Sequence, residues 1–145
     1  MFTMRGDLIK LTKAGEFDVV LHGCNCYNTM GKGIAAQFKQ HFPEVYAADC
    51  KTERGDPRKL GSYSRAKLPN GVIVLNCYTQ FRYGPNSADY AAIREVLQKV
   101  REEFVGKKVG MPMIGAGLAG GDWKKISNLI DRYLPNATVV EWDSN

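Results

Sequence analysis

Between Phe17 and Ala36 the chain reads FDVVLHGCNCYNTMGKGIAA, and this stretch restricts the fold more than any other. Val19-Val20-Leu21 is a short apolar run of the kind that forms a buried strand. The residues then turn small and polar through Gly23, Asn25, Asn28 and Thr29 to Gly31-Lys32-Gly33, and Ile34-Ala35-Ala36 opens a helical pattern. A strand that empties through glycines onto a helix N-terminus makes an anion site. The first helical amides lack acceptors, and the helix dipole favours negative charge there. Glycine adds close approach, because no Cβ stands between the backbone and a phosphate. The run is neither G-x-G-x-x-G nor a Walker A loop, and by itself a tight turn accounts for it equally well.

Val109 to Ile126, VGMPMIGAGLAGGDWKKI, repeats the design: an apolar strand, then Gly115, Gly117, Gly120 and Gly121, then an amphipathic helix. Two such turns in one α/β domain can hold a diphosphate between them. They predict a nucleotide-like ligand at the carboxyl ends of the strands.

Four pieces of the chain, in this order and spacing, resemble the macrodomains, which bind ADP-ribose. They are Gly6-Asp7-Leu8, Leu21-His22-Gly23-Cys24-Asn25-Cys26, Gly31-Lys32-Gly33-Ile34-Ala35 and Met111-Pro112-Met113-Ile114-Gly115-Ala116-Gly117-Leu118. The likeness is nearest to the ADP-ribose-1″-phosphate phosphatase branch, with the terminal ADP-ribose glycohydrolases as a neighbouring group. It implies a three-layer α/β/α sandwich around a central mixed β-sheet. It further implies that Leu8 lies at the ligand, that Asp18 takes the adenine amino group and that Asn25 touches the distal ribose. Gly31, Lys32, Gly33 and Ile34 match the first diphosphate loop. Met113, Ile114, Gly115, Ala116, Gly117, Leu118, Ala119 and Gly120 match the second, and both loops act mainly through backbone amides.

Two residues are candidates for chemistry. Binding-type macrodomains have Asn where this chain has His22, and the phosphatase branch has histidine. A histidine there can protonate a leaving oxygen near neutral pH, or it can be a neutral, hydrogen-bonded member of the strand layer. Asp122 follows the second loop. It suits alignment of a water or nucleophilic attack, and it equally suits the N-cap of the helix it precedes. In the glycohydrolase group the acid sits directly after Gly-Leu, a position held here by Ala119. The lysine which that group uses after the central strand is replaced by the loop Thr79-Gln80-Phe81-Arg82-Tyr83. Phe81 and Tyr83 are placed to stack on a ribose or on adenine, or simply to pack.

The 145 residues suit one domain, 1–145, with a real core. No apolar run approaches a membrane span, and the first residues lack the pattern of a signal peptide. A cytoplasmic monomer that does not engage membranes is therefore expected. The net charge of +5 favours anionic ligands. Its densest region, Lys51 to Lys67 with Arg54, Arg58, Lys59 and Arg65, reads as a solvated loop face. Cys24, Cys26, Cys50 and Cys77 are expected as reduced thiols. His22-x-Cys24-x-Cys26 lacks the usual zinc-ligand spacing, so neither metal nor cofactor is expected.

In chain order, Phe2–Arg5 reads as a strand that Leu8-Ile9 continues past a turn at Gly6-Asp7. Strands are also predicted at 17–24, 61–68, 72–78, 109–114 and 138–142. Helices are predicted at 33–42, from Pro43 to near Arg54, from an N-cap at Ser87 to Gly106, and at 122–134. The function expected is hydrolysis of ADP-ribose 1″-phosphate to ADP-ribose and phosphate, with His22 as general acid and Asp122 at the water. Removal of ADP-ribose from protein or nucleic acid, and plain ADP-ribose binding, are the rivals.

Overall fold

The computed structural model describes residues 1–142. The elements are β1 (Phe2–Gly6), α1 (Leu8–Lys13), β2 (Val19–Cys24), α2 (Gly33–His41), α3 (Pro43–Cys50), β3 (Tyr63–Lys67), β4 (Ile73–Tyr78), α4 (Tyr90–Glu103), β5 (Val109–Met111), α5 (Trp123–Tyr133) and β6 (Thr138–Trp142). A 3-10 turn at Pro57–Lys59 separates α3 from β3. The six strands form one sheet in the order β1-β6-β5-β2-β4-β3. All neighbours run parallel except β3, which returns antiparallel to β4 through the Asn70-Gly71 turn.

Alternation along β2 divides the interior in two. Val19 and Leu21 point into a core shared with Leu75, Met111, Ile93 and Ile126, beneath α4 and α5. Val20 and Cys24 point the other way, into a core with Val74, Phe38 and Val45 beneath α1, α2 and α3. The result is an α/β/α sandwich with β2 and β4 buried on both faces, as their nearly unbroken apolar runs require. α4 buries Ile93, Val96, Leu97 and Val100, the clearest helical stripe in the sequence.

Several boundaries differ from the sequence expectation. Leu8 and Ile9 do not extend β1 but open α1, because the Asp7 carboxylate accepts from the amides of Ile9 and Lys10 at 3.0 and 3.3 Å and caps a helix. Asp89, not Ser87, caps α4, accepting from the Ala92 amide at 3.0 Å. β5 stops at Met111 rather than running to Ile114, since Pro112 has no N–H to carry the ladder on. α3 ends at Cys50, short of Arg54.

β5 needs a glycine at its centre. A Cβ on Gly110 would stand 2.5 Å from Cδ2 of the buried Phe17 ring. Gly110→Ala is expected to destabilise the fold by about 1–3 kcal/mol, the usual cost of overpacking. Urea denaturation of the two proteins measures this, and an unchanged midpoint would mean that the Phe17 ring moves freely.

Candidate functional site

β2 stays beside β4 for six residue pairs but beside β5 for only two, Val19 with Val109 and Val20 with Gly110. Past that point the two parallel strands part, and their continuations become the two glycine loops. The cleft therefore opens at the carboxyl end of the sheet, where the chain leaves β2 in one direction and β5 in the other.

The first loop ends on α2, whose N-cap Lys32 makes no side-chain capping bond. The amides of Gly33, Ile34 and Ala35 consequently donate to no acceptor among the described residues. The second loop is closed on itself. Ala116 donates to the Met113 carbonyl at 3.2 Å, Gly120 to Gly117 at 3.1 Å and Gly121 to Gly115 at 2.8 Å. This leaves the amides of Gly117, Leu118 and Ala119 without an acceptor among the described residues. The loops meet across the cleft: a Cβ on Gly33, which has φ 60°, would lie 3.2 Å from Cδ1 of Leu118. Leu118 itself is 61 % exposed. Two sets of unsatisfied N–H donors at adjoining loops suit a diphosphate.

Beside this cleft, the turn after β2 is held by side chains. Asn25 donates from Nδ2 to Thr29 Oγ1 at 2.7 Å and accepts the Tyr27 amide at 2.8 Å. Asn28 and Met30 have positive φ, 58° and 41°. The loop after β4 is tied to the same turn, because the Cys26 amide donates to the Phe81 carbonyl at 3.0 Å. Tyr27 lies edge-on to Phe81 and Tyr83, with centroids 5.2 and 6.5 Å apart. Tyr83 is 69 % exposed, so these rings form an aromatic rim, with the Arg82 guanidinium 5.8 Å from the Phe81 ring. Phe81 and Tyr83 thus flank the Asn25 turn.

The structure brings the Gly31–Ile34 and Gly115–Gly120 loops together at Gly33 and Leu118, with the Asn25 turn leading into the first, and it sets five other sequence candidates elsewhere. His22 is fully buried. Its ring stacks on Phe38 at 4.5 Å, and its Nε2–H donates to Asn76 Oδ1 at 2.6 Å. Asn76 donates in turn to the Val45 carbonyl and to Ser64 Oγ, both at 3.0 Å, so this polar chain fastens β2, β4, β3 and α3. Burial pulls the His22 pKa down to about 4. The structure thus places His22 as a hydrogen-bonded member of the strand layer, sealed under α2 and away from the two loops. Asp18 stands at the entry of β2, at the sheet edge opposite the loops. There its Oδ2 accepts the Lys108 amide at 2.8 Å. The full length of the strand therefore separates it from the two loops. Leu8 and Ile114 are core residues, so Leu8 supports the fold near the site and Ile114 forms the foot of the second loop. Asp122 caps α5: its Oδ1 accepts the Lys124 amide at 2.9 Å, and its own amide donates to the Tyr90 hydroxyl at 2.9 Å.

The sequence reading gives no role to two residues at the loop end of the sheet. Asp7 lies where β1 ends, at the same edge as both loops, and the helix-start rule for Asp before an apolar run would have found it. Thr79 closes β4, and its hydroxyl is buried with no hydrogen-bond partner among the described residues. A Cβ on Gly23 would lie 2.8 Å from that hydroxyl and 3.4 Å from Ile114 Cγ1, so the three residues pave the floor between β4 and β5.

Comparison with known proteins agrees with this fold. The family model of the Macro domain matches residues 21–130. An uncharacterised 17.5 kDa protein of Enterobacteria phage T4 is 35% identical over 97% of this chain and 95% of its own length. The DNA ADP-ribosyl glycohydrolase of Mycobacterium tuberculosis is 28% identical over 93% of this chain, which spans 40% of that protein. The ADP-ribose 1″-phosphate phosphatase of Debaryomyces hansenii is 27% identical over 90% of this chain and 92% of its own length. In three dimensions, the macrodomain of Thermus aquaticus DarG superposes with a TM-score of 0.77 at 22% identity, covering 98% of this chain and 97% of that one.

Two expectations follow for the relocated residues. The folded-state pKa of His22, about 4, lies below the ordinary 6.5. Its contribution to stability is therefore complete above pH 6.5 and is lost as pH falls from 6.5 towards 4. The loss amounts to about 3 kcal/mol at most. Chemical denaturation across this interval should give a steeper fall for the native protein than for His22→Gln, and parallel curves would count against a buried neutral ring. For Asp122, the alanine variant should lose about 1 kcal/mol, while serine and asparagine variants lose less. Equal losses in thermal melts of all three would show that capping is not what the carboxylate does.

Proposed function

The chain belongs to the macrodomain family, and on that premise we propose that it is a single-domain hydrolase of the cytoplasm. In this reading it binds the ADP-ribose unit between its two glycine loops and releases phosphate from ADP-ribose 1″-phosphate. The observation that carries the reading is the pair of adjoining loops, each offering amides that no group among the described residues accepts. They satisfy the diphosphate. Asn25 meets the distal ribose, and Asp7, at the same sheet edge, replaces Asp18 as the carboxylate for adenine.

With His22 removed from the chemistry, the leaving oxygen needs another proton source, and the substrate carries one. A phosphomonoester has its second pKa near 6, so part of it is the monoanion around neutrality. Water attacks phosphorus, the P–O1″ bond breaks, and the phosphate's own proton goes to the departing ribose oxygen. The products are ADP-ribose and inorganic phosphate. The protein's share is to fix the diphosphate and ribose and to orient water above the floor at Gly23 and Thr79. This account also removes the need for a nucleophilic amine, which the loop after β4 does not supply: Arg82 is its cation, and a guanidinium stays protonated.

A second reading has its own observation. The Tyr27, Phe81 and Tyr83 rim, with Arg82, offers stacking faces for a base. That arrangement fits release of ADP-ribose from modified nucleic acid, and the similarity to the mycobacterial glycohydrolase supports it.

Parallel assays at equal protein concentration separate the readings. Phosphate release from ADP-ribose 1″-phosphate is expected to exceed ADP-ribose release from modified DNA and from modified protein, and to decline as pH rises above about 6. Faster release from DNA, abolished by Tyr83→Ala, would transfer the assignment to the second reading. ADP-ribose binding without turnover of any substrate would make the protein a binding module. Gly33→Val should weaken ADP-ribose binding by tenfold or more, about 1.4 kcal/mol. A β-branched residue fits poorly at positive φ, and the new methyls meet Leu118. Calorimetric affinity equal to the native value would remove the first loop from the site.

A further inference from the structure

Lys59 belongs to the basic stretch that reads as a solvated face, yet it is only 8 % exposed. Its Nζ donates to the Cys26 carbonyl at 3.0 Å and to Asn28 Oδ1 at 2.7 Å, and it lies 4.7 Å from the centroid of the Tyr78 ring. Tyr78 is fixed in turn, since its hydroxyl donates to Asp49 Oδ1 at 2.6 Å. The ammonium is thus taken out of water and given two oxygens and an aromatic face instead.

What it holds is the left-handed corner of the turn after β2. Asn28 is gripped at both side-chain polar atoms and at its carbonyl: Lys59 and Thr52 Oγ1 reach its Oδ1, its Nδ2 donates to the Thr52 carbonyl at 3.0 Å, and the Tyr46 hydroxyl donates to its carbonyl at 3.2 Å. Asn25 lies three residues before this corner and the Gly31 loop three after it. We propose that Lys59 is a positioning residue for the cleft: by holding Cys26 and Asn28 it fixes where Asn25 and the first-loop amides stand. This rests on the reading that those groups meet ADP-ribose. No contact between Lys59 and the ligand is involved.

The test uses the full chain with Lys59→Met, Asn28→Gly and the double variant. ADP-ribose and AMP are the probes, and amide exchange at Tyr27 and Gly55 is followed alongside. Both amides report on the turn, because Tyr27 donates to Asn25 Oδ1 and Gly55 donates to the Cys26 carbonyl at 2.7 Å. Lys59→Met should bind ADP-ribose more weakly by on the order of tenfold. AMP, which lacks the distal ribose and second phosphate, should be unaffected. Protection at Tyr27 and Gly55 should fall while the core amides keep theirs. Adding Asn28→Gly should recover ADP-ribose affinity, since glycine holds a positive φ without a clamp. A folded Lys59→Met protein with native ADP-ribose affinity and native protection at both amides would overturn the proposal, as would equal losses for AMP and ADP-ribose. If Lys59→Met does not fold, Asn28→Ala against Asn28→Gly decides: alanine should lose affinity and glycine keep it, and equal affinities would refute the role. A native protein that does not bind ADP-ribose defeats the functional reading alone. Exchange at Tyr27 and Gly55 then still decides the role of Lys59.

Discussion

The parting of β2 and β5 is the constraint from which the cleft follows. Two parallel strands that stayed in register to their ends would satisfy each other's amides and leave no gap. Here Pro112 removes the donor that would continue β5, and glycines take over beyond Cys24 on one side and Ile114 on the other. The backbone polarity released by that separation has to be satisfied somewhere. The second loop absorbs part of it by closing on itself, and the rest stays as donors at the mouth of the sheet. The same separation makes Gly23 and Thr79 a floor, because no β5 residue runs alongside β2 at that level.

Holding such a gap open needs stiffness around it. His22, Asn76 and Ser64 join three strands by hydrogen bonds and reach α3 through the Val45 carbonyl. Tyr78 ties β4 to α3 through Asp49, and its ring carries the Lys59 ammonium that holds the turn. Both are buried polar chains inside an otherwise apolar layer, and apolar residues alone would not fix a corner so definitely, since dispersion contacts are not directional. His22 is the inner end of the first of these chains.

Much of the architecture was readable, because each piece is written in consecutive residues. The two glycine loops, the α4 stripe of Ile93, Val96, Leu97 and Val100 and the cap role open to Asp122 depend on local periodicity and turn chemistry. What failed depended on partners distant in sequence. Alternation puts His22 on the same face as Val20 and Cys24, but only the packing of Phe38 on that face shows that it is sealed. Asp18 is a different case. It precedes the strand whose far end carries the loop, so its edge of the sheet was already implied by strand direction, and family likeness pointed past that. Lys59 was misjudged from its company: Arg54, Arg58 and Arg65 are exposed, and a run of charges does not reveal that one member turns inward.

The two loops belong to different sides of the sheet. Ile34 and Ala35, at the end of the first, pack on the core under α1, α2 and α3. Ile114 and Ala116, in the second, pack on the core under α4 and α5. These half-interiors are insulated from each other by the sheet and share little beyond its backbone. A guest gripped by both loops would therefore act as a rivet through a laminate, fastening the two outer layers across the sheet. Slippage of either layer would be felt as a change in grip, so occupancy of the cleft would report on the integrity of the whole sandwich.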